Sequence, residues 1–243
     1  MNSHLYSTFT AVAVWTEAIG ITVLAYGFAL TVYRFGRQSP LLNPVLIAIL
    51  ATIGLLSLRN TSYETYFQGA QIIHFLLGTA TVALAVPLYH QLQVLKSALI
   101  PITVSILVGS VSAAVSSLGL SLWLGASTDT VLSLLPKSTT TPVAMGIAES
   151  LGGLPAVSAV TVIVTGIIGA IAGLPLLRLA GFHDLREQGI ALGMAAHGVG
   201  TARAFQIDIT LGAWSGLAMS LGAIATSAIA PGLWWLVQLG GLG

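Results

Sequence analysis

The chain has 243 residues, of which 8 are Lys or Arg and 7 are Asp or Glu, while 56% are hydrophobic and the net charge is +1. A soluble domain carries about a quarter of charged residues, so this composition, with a mean hydropathy of +0.95, excludes a water-facing globule and indicates a polytopic membrane protein. The near-neutral balance points to no polyanionic partner such as nucleic acid, and the lack of cysteine excludes disulfides, thiolate chemistry and cysteine metal sites.

The opening Met1-Asn2-Ser3-His4-Leu5-Tyr6 has no basic n-region and no small-residue cleavage site follows the first apolar stretch, so no removed signal or transit peptide is expected. Eight apolar segments follow. The first, about 14–33, reads as an ordinary span and holds one acid, Glu17. The second, 44–58, begins at Asn43-Pro44 and is short for a crossing of a hydrocarbon core of about 30 Å. The third, 69–90, carries His74, Gly78, Thr79 and Thr81 in its middle. The fourth, 98–124, lies in the uncharged stretch from Ser97 to Thr128 and reads as an ordinary span.

The fifth segment, 131–150, contains Pro136-Lys137-Ser138-Thr139-Thr140-Thr141-Pro142 and then Glu149. Thr141-Pro142 is a helix-start signal, a hydroxyl N-cap followed by proline at the first helical position. A helix that starts inside a membrane offers unpaired N–H groups and the positive end of its dipole to an anion. Lys137 and the hydroxyls of Ser138, Thr139 and Thr140 would surround the same place. Alternatively, Lys137 snorkels to water or pairs with Asp129.

The sixth segment, 156–177, is an ordinary span with Gly169 and Gly173 spaced for close helix contact. The seventh, 188–206, holds His197-Gly198-Val199-Gly200-Thr201-Ala202-Arg203. Gly198 and Gly200 weaken a helix there and let backbone approach a ligand or another helix. Arg203 keeps its charge, so within a bilayer it needs a counter-charge, carbonyls, water or substrate, and a guanidinium grips a carboxylate well. The structural alternatives are an ion pair of Arg203 with Asp208 or Glu149 and a packing role for His197. The eighth segment, 210–238, is a span with Gly212 and Gly216 at contact spacing, and its Trp234-Trp235 reads as an interfacial anchor.

A shift of 120 residues places Gln68-Gly69 on Gln188-Gly189, Gly78 on Gly198 and Thr81 on Thr201. It makes the third segment the counterpart of the seventh. Interrupted segments at equivalent places in two halves point to a transporter site at a repeat interface. With the third and seventh segments re-entrant, Arg34, Arg37, Arg178 and Arg186 share one side, which the positive-inside rule makes cytoplasmic.

No enzyme constellation stands out. There is no nucleophile elbow and no phosphate-binding loop, and the histidines at 4, 74, 90, 183 and 197 lack metal-ligand spacing. No catalytic activity, cofactor or metal is expected.

The stretch from Pro136 to Ala144 with Glu149 and Gly152-Gly153-Leu154-Pro155, followed by the stretch from His197 to Ala204, resembles the two signatures of the LrgB/CidB family. The likeness runs from about Leu134 to Pro231, with a weaker match at 81–89, and departs from the family where Thr79 stands in place of an expected proline. The resemblance implies a bacterial membrane protein working beside a small LrgA/CidA-type membrane protein. Members have been described as antiholin-like or as exporters of murein hydrolases; similar proteins move pyruvate, and a plastid relative moves glycolate and glycerate.

The expectation is therefore an all-α transmembrane bundle with interrupted or re-entrant helices, one membrane domain over 1–243 with inverted repeat halves of about 1–125 and 126–243. The expected function is secondary transport of a small monocarboxylate across the bacterial inner membrane by a homo-oligomer, with an antiholin or holin-like role as the alternative. The expected binding residues are Lys137, Ser138, Thr139, Thr140, Thr141, His197, Gly198, Gly200, Thr201 and Arg203, with Glu149 and His197 for coupling and Gly78, Thr79 and Thr81 as their repeat relatives.

Overall fold

A computed structural model describes residues 2–39, 42–83, 86, 89 and 99–240. Every regular element among them is a helix: α1 (Asn2–Phe35), α2 (Pro44–Leu58), α3 (Tyr63–Ala83), α4 (Leu99–Trp123), α5 (Thr128–Leu134), α6 (Thr141–Leu151), α7 (Pro155–Leu179), α8 (Leu185–Ile207) and α9 (Ile209–Leu239). Four are long and apolar enough to cross a membrane, namely Ala13–Phe35 within α1, and α4, α7 and α9. These are the four segments that read as ordinary spans. They turn large apolar side chains outward, as helices do when lipid is the solvent.

The chain forms two compact units, Met1–Ala80 and Thr81–Gly243. In the first, α2 starts where the Asn43 side chain accepts from the N–H groups of Val45 (2.9 Å) and Leu46 (3.3 Å), with Pro44 in the first turn. Helix α3 packs on α1 at Gly69, where a Cβ would meet Ala18 at 2.6 Å, and Thr22 shares a 2.7 Å hydrogen bond with Tyr66. The third segment was expected to be broken. Through Ala83 it is one continuous helix with no proline in it, and the Thr79 hydroxyl donates to Leu76 O (2.7 Å) within that helix. The surroundings of Gly78 and Thr81 lie outside the described residues, as does most of 84–98.

In the second unit α8 packs between α7 and α9, and α9 also lies on α4. Glycine punctuates the chain where a left-handed conformation is needed: Gly152 (φ +90°) ends α6, and its N–H and that of Gly153 return to Glu149 O and Ala148 O. Aspartates open the last two helices, Asp184 capping α8 and Asp208 capping α9. Both small-residue spacings are used. Gly169 and Gly173 of α7 receive Ala196 and Leu192 of α8, while Gly212 of α9 lies against Phe205. A third pair, Gly189 and Gly193, seats α8 directly on the α9 backbone at Leu211 and Ser215.

One aromatic expectation is corrected. Trp234 is buried with Ala114, Leu118, Leu135 and Ile147 in an apolar core, and Trp235 alone of the pair is exposed. Adjacent positions on a helix are about 100° apart, so only one indole can face the core.

Candidate functional site

The fifth segment is broken as expected. Pro136 is fully buried and ends α5 after seven residues, because it offers no N–H to extend the helix. Residues 136–139 form a tight turn closed by Lys137 N to Leu134 O (3.1 Å) and Thr139 N to Pro136 O (3.2 Å). Two serines fix this turn in place. Ser117 of α4 donates to Leu134 O at 2.7 Å, and Ser133 accepts from Leu154 N at 2.7 Å while donating to Asp129 O.

The helix start differs by one residue from the sequence reading. Thr140 is the N-cap and Thr141 already has helical geometry, with Pro142 behind it. The Thr140 hydroxyl makes no capping bond. It and the Thr139 hydroxyl are buried without a hydrogen-bond partner. Lys137 is half-buried and its Nζ contacts Ser138 Oγ at 3.4 Å. Asp129 sits at the opposite end of α5, where the Ser127 hydroxyl and the Thr130 N–H hold its carboxyl below the usual range.

The seventh segment is also broken, at a different residue from the one expected. Gly198 and Gly200 were read as the weak points, yet the non-helical backbone falls on His197, at φ +37° and ψ −128°. Such a conformation is rarely adopted by a side-chain-bearing residue and costs about 1–3 kcal/mol. Gly200 is needed for closeness instead: the break folds the chain back so that a Cβ there would lie 3.1 Å from Leu192 O and against Ala196. Gly198 faces open space.

The two breaks meet. The His197 ring is 2% exposed, lies within hydrogen-bonding reach of the Lys137 backbone, and has its Nε2 buried without a partner. Thr139, Thr140 and His197 thus add three unsatisfied buried polar groups to one neighbourhood, each worth about 1–3 kcal/mol of lost solvation. Opposite the ring is Gly166 of α7, which leaves room for it.

The other expected residues make contacts of their own. The Thr201 hydroxyl shares a 2.8 Å hydrogen bond with Ser215 and lies 3.8 Å from Met219 Sδ, so it joins α8 to α9. Arg203 is half-buried and donates to Gln206 at 3.3 Å in its own helix. Asp208, a possible partner for it, uses Oδ1 to cap α9 through the N–H groups of Thr210 and Leu211. Glu149 is exposed on the last turn of α6.

Sequence reading passed over Gly166, although Gly166, Gly169 and Gly173 recur at intervals of three and four and so mark one face of α7. It also passed over Ser110 and Ser158, buried hydroxyls without partners. Ser110, Ala114, Ser117 and Ser121 line the buried face of α4, a pattern legible from the same periodicity.

The LrgB-like family matches residues 22–236, a range that includes both breaks and all four spans except the ends of the first and last. The chain belongs to the LrgB-like family. This LrgB-like protein is 40% identical over 212 residues to the uncharacterized protein YwbG of Bacillus subtilis, covering 87% of its own length and 93% of that protein. It is 38% identical over 194 residues to the holin-like protein CidB of Staphylococcus epidermidis, covering 80% and 85%. With the holin-like protein CidB of Staphylococcus aureus it shares 35% over 216 residues, 87% and 92% of the two chains. No solved structure matches it. Family and spans together make it a multi-pass bacterial membrane protein.

Proposed function

We infer that this protein has a holin-like role in the bacterial membrane, the alternative in the sequence reading. The observation that carries it is the likeness to relatives named holin-like protein CidB over four fifths or more of both chains. A small LrgA/CidA-type companion and a homo-oligomeric state are parts of this proposal. Deletion of the gene is expected to change detergent-induced lysis and the murein hydrolase activity released by the cells, with recovery on complementation. Lysis and released activity identical to the parent strain would reject it.

A second reading, transport of a small monocarboxylate, is favoured by one specific observation: the contact of the two breaks, with Thr139, Thr140 and His197 Nε2 buried and unpartnered beside Lys137. The start of α6 supplies N–H groups, Lys137 a positive charge, and the hydroxyls further donors, a set suited to a carboxylate. Ser138, Thr141, Gly198, Gly200, Thr201 and Arg203 enter this proposal as the remainder of the two signatures, and the inverted relation of halves 1–125 and 126–243 supplies the alternating access. His197 is the coupling group of choice, since Glu149 is exposed. The assay is uptake of labelled pyruvate, glycolate or lactate by proteoliposomes, with and without the companion. Saturable uptake is expected, and none in either preparation sinks this reading.

A further inference from the structure

We propose that the first unit, Met1–Ala80, holds one zwitterionic phospholipid of the phosphatidylethanolamine type in a cleft formed by α1, α2 and α3. Two adjoining cavities make up the cleft. The larger, of about 490 Å³, is apolar and runs along α2 from Val45 to Leu56. The smaller, of about 160 Å³, is lined by Glu17, Thr61, Thr65 and Tyr66. Leu56 and Tyr66 border both.

Charge and length choose the occupant. Glu17 and Arg59 form an ion pair at 2.6 Å beside the small cavity, each about half exposed, so one fixed negative and one fixed positive group stand where a headgroup would lie. Arg59 suits a phosphate and Glu17 an ammonium, so a headgroup with both charges replaces each partner of the ion pair, whereas an anionic headgroup without an amine that engages Arg59 leaves the Glu17 carboxylate without a counter-charge. These groups cluster at one end of the helices: the start of the apolar span of α1, the end of α2 and the loop before α3. The apolar cavity extends from that end through the 11 residue steps from Leu56 back to Val45, about 16 Å at 1.5 Å per residue. One leaflet of a hydrocarbon core is about 15 Å thick. The cleft therefore matches a headgroup at the interface with one acyl chain beneath it.

The test is lipid analysis of the full chain purified in mild detergent, followed by titration with palmitoyl-oleoyl phosphatidylethanolamine or phosphatidylglycerol. The expected result is near one phosphatidylethanolamine retained per chain and weaker retention of phosphatidylglycerol. Ala48→Trp, which fills the apolar cavity, and the double variant Glu17→Gln with Arg59→Gln are each expected to lower phosphatidylethanolamine retention about ten-fold. The double variant keeps the elution volume and melting temperature of the parent and so separates binding from folding. Equal retention of both lipids, or unchanged phosphatidylethanolamine in the variants, overturns the proposal. So does a smaller oligomer for Ala48→Trp with lipid content unchanged, which would assign the cleft to a second copy of the chain.

Discussion

Gly166 of α7 faces the imidazole of His197 so closely that a Cβ at position 166 would lie 2.9 Å from Cε1. The ring at the break in α8 is therefore positioned by a missing side chain on its neighbour. Gly166→Ala is expected to push the imidazole off the Lys137 backbone at an overpacking cost of about 1–3 kcal/mol. A lower melting temperature in detergent together with loss of the lysis phenotype would agree. Unchanged values of both would show that the ring has room to spare.

The backbone at His197 separates strain from side-chain chemistry. At φ +37° and ψ −128° only glycine is at ease, so His197→Gly should match or exceed His197→Ala in thermal stability by about 1 kcal/mol. Both variants should lose function, because neither has an imidazole. If the alanine variant is the more stable, position 197 is not strained.

Thr201 and Ser215 share a buried 2.8 Å hydrogen bond between α8 and α9. A double-mutant cycle with Thr201→Val and Ser215→Ala should give a coupling of about 0.6 kcal/mol, the usual scale for such bonds within membranes. Unfolding in mixed micelles measures it. A coupling of zero would show that this hydrogen bond does not hold α8 on α9.

Arg203 tests the transport reading. Arg203→Gln should abolish carboxylate uptake in proteoliposomes while the protein remains monodisperse in detergent. Wild-type kinetics in this variant would remove Arg203 from the site.

Length and composition alone determined membrane embedding, because 15 charged groups cannot clothe 243 residues in water. Apolar run length likewise picked out the four spans, since crossing a hydrocarbon core is a local requirement on consecutive residues. The break in the fifth segment was legible for the same reason, through the Thr141-Pro142 start signal, because proline acts on its own helix. The break at His197 was not. Sequence pointed to the flanking glycines, but glycine only permits a conformation, and the contacts of α7 and the 136–139 turn select which residue adopts it. Tertiary structure also decided that Thr201 bonds to Ser215, that Trp234 belongs to the core, and that Lys137 and His197, 60 positions apart, touch. Such relationships depend on how helices rotate and dock against one another, and no local pattern in the chain encodes that.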